Sequence, residues 1–405
     1  MSGPLQGIRV FDLSRILAGP TATQILGDLG AEVIKVEKPG AGDDTRKWGP
    51  PFVKDAEGRN TSESGYYLAV NRNKRSVTLD IAKPEGQDIA KQLIARCDIF
   101  VENFKVGDMA KYHLAYNQIK HDFPRLIYCS ITGFGQTGPY AHRAGYDFLA
   151  QGMGGIMSVT GDPSTPPVKI GVAATDIITG IYSTTAILAA LHHRHATGRG
   201  QHIDMSLLDS QVSYLANIGL HYLTSGEVPR RLGNEHPNIV PYSVVTCADG
   251  YFILAVGNDS QFEKFCSFAG VADWAKDPRF TTNPARVQNR VVLYQMINEL
   301  TAQKPQKHWI EGLEALGVPC GPVNNVDQVF ADPQVLHRNM KISMPYPLAG
   351  SSHVDLIGSP IKMSETPVDY RLAPPVCGQD TDAVLREMLY FSDEDLRVLR
   401  EKKVI

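Results

Sequence analysis

Apolar and polar positions follow two alternating periods along the first part of the chain. A short β-branched and apolar run, "GIRVFDL" (7–13), precedes "GPTATQILGDLGA" (19–31), whose apolar residues fall at helical spacing with Pro20 in the first turn. "EVIKVE" (32–37) then alternates like a second strand, so the pattern predicts a βαβ unit. The same rhythm continues through "SVTLDI" (76–81), a helix at "PEGQDIAKQLIARC" (84–97), and strands at "DIFVENF" (98–104) and "RLIYCSITG" (125–133). Strands and helices in succession give an α/β domain with a largely parallel sheet, and its ligand site belongs at the carboxyl ends of the strands.

A long helix is predicted over 176–197. It ends in "HHRHATGRG", where cations suit the negative end of the helix and Gly198 and Gly200 stop it. A strand and another helix follow in 201–223. From 224 to 243, "TSGEVPRRLGNEHPNIVPYS", the chain is rich in Pro, Gly and Asn and has no period, and so long a loop is functional or joins domains. We place a domain boundary there. "YFILAVG" (251–257) and helical stretches near 259–269, 286–302 and 305–316 predict a smaller α/β domain that closes at "GVPCGPVNNV" (317–326). The tail from 358 is extended and Pro-rich before a final helix.

Length and charge narrow the partners. A chain of 405 residues is long enough for two domains. Its 40 Lys and Arg against 43 Asp and Glu leave a formal charge of −3, without the basic excess of a general nucleic-acid binder. The six cysteines are scattered and form no CxxC pair, which fits reduced thiols in the cytoplasm and speaks against structural zinc. "MSGPLQGIRVFDLS" has neither the basic and apolar regions of a secretion signal nor a membrane-spanning apolar run. A soluble cytoplasmic enzyme, without nucleic-acid, membrane or metal partners, is expected.

Several residues then stand out as candidate chemistry. "GFGQTG" (133–138) follows a strand and matches the dinucleotide-binding G-x-G-x-x-G, but Pro139 comes next and no helix opens whose N-terminus could hold a pyrophosphate. A glycine-rich active-site loop fits better. His192, His193 and His195 lie in the last turn of the long helix, where cations are favoured without any metal. His236 lies in the irregular 224–243 segment, solvated, structural or part of a binding site. Asp176 is the one acidic residue of "GVAATDIITGIYSTTAILAALHHRHATGRG" (171–200). Thr175 or Asp176 can serve as the helix N-cap. A carboxylate kept ionised at a helix N-terminus is also a usable nucleophile, and the local pattern does not separate the two readings.

Longer stretches carry a resemblance. "GIRVFDLSRILAGPTATQILGDLGAEVIKVEKPGAGDDTRKWGPP", "NRNKRSVTLDI", "DIFVENF", "YCSITGFGQTGP", "GRGQHIDMSLLDS", "GNEHPNIVPY", "GVPCGPVNN" and "GQDTDAVL", in this order, resemble the class III coenzyme A-transferases, the formyl-CoA transferase and carnitine CoA-transferase family. Within it, "GAGDDTRKWGPPF", "AVNRNKRS" and "RAGYD" look closest to a branch with succinyl-CoA as donor and glutarate as acceptor. The resemblance implies a Rossmann-like large domain built from both chain ends (1–223 and 327–405), a small domain from the middle (224–326), and two chains forming interlocked rings. It implies no permanently bound cofactor; CoA thioesters and carboxylic acids are the substrates.

The family's catalytic aspartate falls on Asp176, which would carry an aspartyl-CoA thioester. CoA contacts carried over by motif are Arg15, Ile16 and Ala18 after the first strand, Lys38 after the second, Arg72 and Lys74 in "NRNK", Asn103 and Phe104 in "ENF", and Lys111 and Arg143. The cations would pair with CoA phosphates, Phe104 would offer apolar area and Asn103 a hydrogen bond. Formyl-CoA transferase has histidine at the position of Arg15. Trp48 and Tyr146 map near the acyl site, and Arg46 and His236 are candidates for the far carboxylate of a dicarboxylate. An α-methylacyl-CoA racemase on the same fold is disfavoured because the segment carries Tyr146 where racemases have histidine, and an unperturbed tyrosine, with a pKa near ~10, is a poor base at neutral pH. A dinucleotide-dependent oxidoreductase is disfavoured by the first βα turn, "DLSRILAGP", which lacks the triple-glycine fingerprint. A nucleotide-binding module without catalysis is disfavoured by Asp176 in its motif.

Overall fold

A computed structural model of the protein describes residues 3–405. Its main sheet has six strands, β1 (Arg9–Asp12), β2 (Glu32–Glu37), β3 (Lys74–Thr78), β4 (Ile99–Glu102), β5 (Ile127–Thr132) and β6 (His202–Ser206). Every pairing is parallel, and the spatial order is β3-β2-β1-β4-β5-β6. The chain therefore winds outward from β1 to one side and from β4 to the other. Between β1 and β4 lies the switch point at which doubly wound sheets bind ligands.

Helices cover both faces: α1 (Ala18–Asp28), α2 (Pro84–Ile94), α3 (Asp147–Met153), α4 (Ala174–Thr197), α5 (Leu207–Ser213), α6 (Thr381–Leu389) and α7 (Asp393–Glu401). Phe11, Ile34, Val77 and Phe100 on one face pack with Leu93 of α2, Leu385 of α6 and Leu396 of α7. Val10, Val33, Val101 and Cys129 on the other pack with Leu26 of α1, Ile187 of α4 and Leu207 of α5. Burial on both faces is why the strands read as nearly unbroken apolar runs. α1 and α4 approach closely because Gly180 has no side chain: a Cβ there would lie 2.7 Å from the Ala18 carbonyl oxygen. α4 is long and apolar enough to cross a membrane by length and composition, yet its core positions belong to this packed layer.

The chain divides into two compact units. The first comprises the stretch ending at Gly155, Ile170–Leu220 and Pro333–Ile405; the second comprises Ile156–Lys169 and His221–Asp332. The expected middle segment of 224–326 thus gains a short earlier piece. Its attachment is visible in the bonds from Gly233 N to Gly161 O (3.1 Å) and from Arg231 Nη2 to Thr165 O (2.7 Å). The second unit has a three-stranded antiparallel sheet of Cys320–Pro322, Gly250–Ala255 and Tyr242–Cys247. Phe252 and Leu254 of that sheet pack on Phe262, Ile297 and Trp309. Two hairpins of the first unit, Phe52–Lys54 with Asn60–Ser64 and Lys341–Pro345 with His353–Ile357, have no counterpart among the predicted elements. The predicted final helix is two helices, α6 and α7, broken at Tyr390 in the left-handed conformation.

Candidate active site

Asp176 lies in the first turn of α4. Neither it nor Thr175 caps that helix. The N-cap position is Ala173, which has no side-chain acceptor, and the cap comes from Asp147 at the start of α3. Asp147 Oδ1 accepts from Thr175 N at 2.8 Å and from Asp176 N at 3.3 Å, while its Oδ2 accepts from Gln151 Nε2 at 2.7 Å. Thr175 Oγ1 donates to Gln211 Oε1 at 2.7 Å. With N–H groups of the helix end satisfied by a neighbour, the Asp176 carboxylate is not needed as a cap. Its ionisation is not what the helix end alone predicts. Burial, and then the charge of Asp147, push its pKa up to about 7, so the dipole does not keep it ionised at low pH.

Asp176 opens into a cavity of about 120 Å³ at the switch point of the sheet. Arg15, Ile16 and Ala18 from the turn after β1, Asn103 and Phe104 from the end of β4, and Arg143 and Tyr146 share its walls. The sheet topology brings these sequence-distant residues together. Asn103 ties the two strand ends, accepting from Arg15 N at 3.0 Å and donating to Arg15 O at 2.6 Å. Ile16 has φ 72°, a costly conformation for a β-branched residue. Asp43 holds it there, its two carboxylate oxygens each 3.2 Å from Ile16 N. A second cavity of about 460 Å³ shares Arg15 and Phe104 with the first and is walled by Lys38, Asp44, Asp80 and Tyr112. Trp48 is partly exposed and meets Tyr66 edge to face at 5.2 Å. The Tyr66 hydroxyl is pushed up by burial and by the charges of Asp176 and Asp147.

Other residues singled out by motif lie elsewhere. Arg72 is buried and pairs with Asp28 through one guanidinium edge, Nε and Nη2 donating at 2.9 and 2.6 Å. Lys74 is buried between Asp12 (3.1 Å), Pro20 O and Asn71, and burial pushes its ammonium down to about 8. Arg46 is buried against Glu37 (2.7 Å) and Glu63 (2.6 Å) with its guanidinium 3.7 Å over Tyr67. These three cations are consumed by internal carboxylates, so none of them offers a free charge to a ligand. Lys111 is exposed, pairs with Asp108 at 2.6 Å and lines neither cavity. His236 belongs to the second unit, where its Nδ1 accepts from Asn238 N at 3.1 Å. The buried pairs instead fix the strand ends: Lys35 joins Asp43 (2.9 Å) to Ser14 O (3.1 Å), and Asp12 accepts from Ser14 and Thr23. Among the described residues no group of three or more His, Cys, Asp or Glu could hold a metal. Asp147 and Gln151, which hold the start of α4, were missed by the sequence reading, although Asp147 is the last residue of the quoted "RAGYD".

Residues 5–381 match the CoA-transferase family III profile. A succinate–glutarate CoA-transferase of Agrobacterium fabrum is 50% identical over 385 residues, 95% of this chain and 96% of its own. The human succinyl-CoA:glutarate CoA-transferase is 43% identical over 402 residues, 99% of this chain and 90% of its own. The crystal structure of a CAIB/BAIF family protein from Brucella suis, 49% identical, superposes with a TM-score of 0.85 over 96% of this chain and 100% of that one. With Asp176 free in a cavity at the sheet switch point and full-length similarity of this kind, the chain belongs to CoA-transferase family III and is an enzyme that transfers coenzyme A.

Proposed function

We propose that the protein moves CoA from succinyl-CoA to glutarate or a closely similar dicarboxylate, and that Asp176 carries the exchange. Ionised Asp176 attacks the donor thioester carbonyl, forming a mixed anhydride and releasing CoA thiolate. The thiolate attacks the aspartyl carbonyl, giving an aspartyl-CoA thioester and free succinate. The acceptor carboxylate attacks that thioester, forming a second anhydride and releasing the thiolate, which then attacks the acceptor's carbonyl. The product thioester leaves and the Asp176 carboxylate is restored. Each step trades one activated acyl bond for another, so the thioester energy is conserved as long as water stays out.

The observation that carries this reading is the Asp176 carboxylate itself, released from capping duty by Asp147 and lining a cavity that shares Arg15 and Phe104 with a larger one. Lys38 walls the larger cavity and can pair with phosphate. Incubation with succinyl-CoA alone, followed by digestion and mass spectrometry, should find CoA attached to the peptide bearing Asp176. Asp176→Ala should show no adduct and no turnover while still binding CoA; turnover by that variant ends the reading.

The same reading includes a dimer of interlocked rings in the cytoplasm. α4 exposes Ile177, Ile181, Tyr182 and Leu188 along one side, and Tyr146, Phe148, Val172 and Val212 nearby in the same unit are exposed too. So much apolar surface calls for a partner, and a second copy is the one proposed. The cysteines are all unpaired, as they would be in a reducing compartment.

A further inference from the structure

Strand β4, one side of the switch point, ends on Glu102, a carboxyl only 3% exposed that lines neither of the two cavities. It walls a third cavity of about 100 Å³, together with Lys105, Tyr116, Ser130, Gln136 and His202. One of its oxygens, Oε2, accepts from Phe104 N at 2.8 Å. That bond closes a turn where the chain leaves the sheet. Asn103, inside the turn, holds the backbone N and O of Arg15, and Phe104 carries the Arg15 guanidinium 5.5 Å over its ring. Arg15 and Phe104 are the two residues that the Asp176 cavity shares with the larger one.

The carboxyl is held from its other side as well. Ser130 of β5 hydrogen-bonds it, and the Ser130 Oγ lies 2.9 Å from His202 Nε2 of β6. Ser130 has one proton, so when it donates to ionised Glu102 the Nε2–H of His202 donates to Ser130. Tyr116 stacks on the imidazole at 4.8 Å, and burial pushes that ring's pKa down, which keeps it neutral. A buried carboxyl is costly, and an apolar side chain would fill the same space at less cost. Burial pushes the Glu102 pKa up to about 7, yet either form keeps an oxygen for Phe104 N. What only Glu102 supplies here is a fixed turn, a supporting contact that orients the residues in front of it.

We propose that Glu102 is a positioning residue: through Phe104 N it sets the turn that holds Asn103 and Phe104 against Arg15, and thereby the affinity for the CoA portion of the substrates. This rests on the reading that CoA lies along Arg15 and Phe104, which Phe104→Ala tests separately. CoA affinity is measured by calorimetry, and KM and kcat with succinyl-CoA as donor. Glu102→Met, which fills the space but offers no oxygen, should weaken CoA binding and raise KM for succinyl-CoA roughly 5- to 20-fold. Its kcat should stay within about threefold of wild type, because Asp176 is untouched. Glu102→Gln keeps an oxygen for Phe104 N without the charge and should hold CoA affinity within about threefold of wild type. A role in stability alone would lower the melting temperature of Glu102→Met and leave KM and CoA affinity unmoved, which would overturn the inference, as would an equal loss in Glu102→Gln. In the wild type the Phe104 amide should exchange hydrogen as slowly as the amides of β4. Exchange at the rate of an exposed loop would overturn the inference whether or not Glu102→Met folds. Phe104→Ala should weaken CoA at least as much as Glu102→Met; wild-type affinity in that variant would instead remove the placement of CoA, and the inference with it.

Discussion

Asp147 exerts two opposing effects on Asp176. It satisfies N–H groups at the start of α4, and its charge, added to burial, raises the Asp176 pKa to about 7. In the proposed exchange the attacking form is the carboxylate, so kcat/KM for the donor should rise with pH and level off above about 7. Asp147→Asn keeps an oxygen for Thr175 N but removes the charge. The rise should then move to lower pH, read from a pH profile of kcat/KM, while the amide facing Gln151 costs about 1 kcal/mol of stability. An unmoved profile would mean that burial alone sets the ionisation. The sequence displayed Asp176 as the single acid of its segment and left cap and nucleophile open. The residue that takes the capping contacts, Asp147, lies in another helix, and no local pattern assigns a cap across that distance.

At the scale of elements, the parallel strands and the long helix were legible because periodicity reports burial. The ends of α4 show this well: the cationic last turn and Gly198, in the left-handed conformation, lie where the pattern put them. "EVIKVE" was read correctly as a strand, but Lys35 and Glu37 are buried rather than solvated. Their partners Asp43 and Arg46 come from a later loop, and pairing between distant charges leaves no periodic trace. The short hairpins escaped for a related reason, since strands of three to five residues carry too few alternations to register. Residues 133–138 read as a glycine-rich loop, but the loop closes where the backbone of Gly133 meets that of Gly145, outside that motif. Gly145→Ala should therefore open the loop. Backbone faces the new Cβ, so a loss of roughly 1 to 3 kcal/mol is expected from a thermal or urea melt, with new proteolytic cuts between the two glycines. An unchanged melt and digest would show that the two strand ends do not depend on this contact.

The whole molecule combines a doubly wound sheet with an apolar flank that its own chain leaves uncovered. Light scattering should give a particle of twice the 44.4 kDa chain mass at all working concentrations. Replacing Ile181 and Tyr182 by Asp should abolish that species and expose a sticky surface; a well-behaved monomer in wild type would overturn the dimer. The motifs spread over the chain revealed the family more securely than any one of them revealed a role. Arg72, Lys74 and Arg46 make the point, for a cation in a shared motif serves folding as readily as binding, and only burial tells which.

The packing of α6 and α7 beside α2 has a consequence for synthesis. Phe11 shares a core with Leu385 and Leu396, which are translated long after it, and Asp80 N donates to Val404 O at 2.8 Å. A growing chain emerges from the ribosome with β1 to β4 ready to pair but one face of the sheet still wet. That face closes only when α6 and α7 are present, so a chain cut short before them should keep it exposed and aggregate more readily.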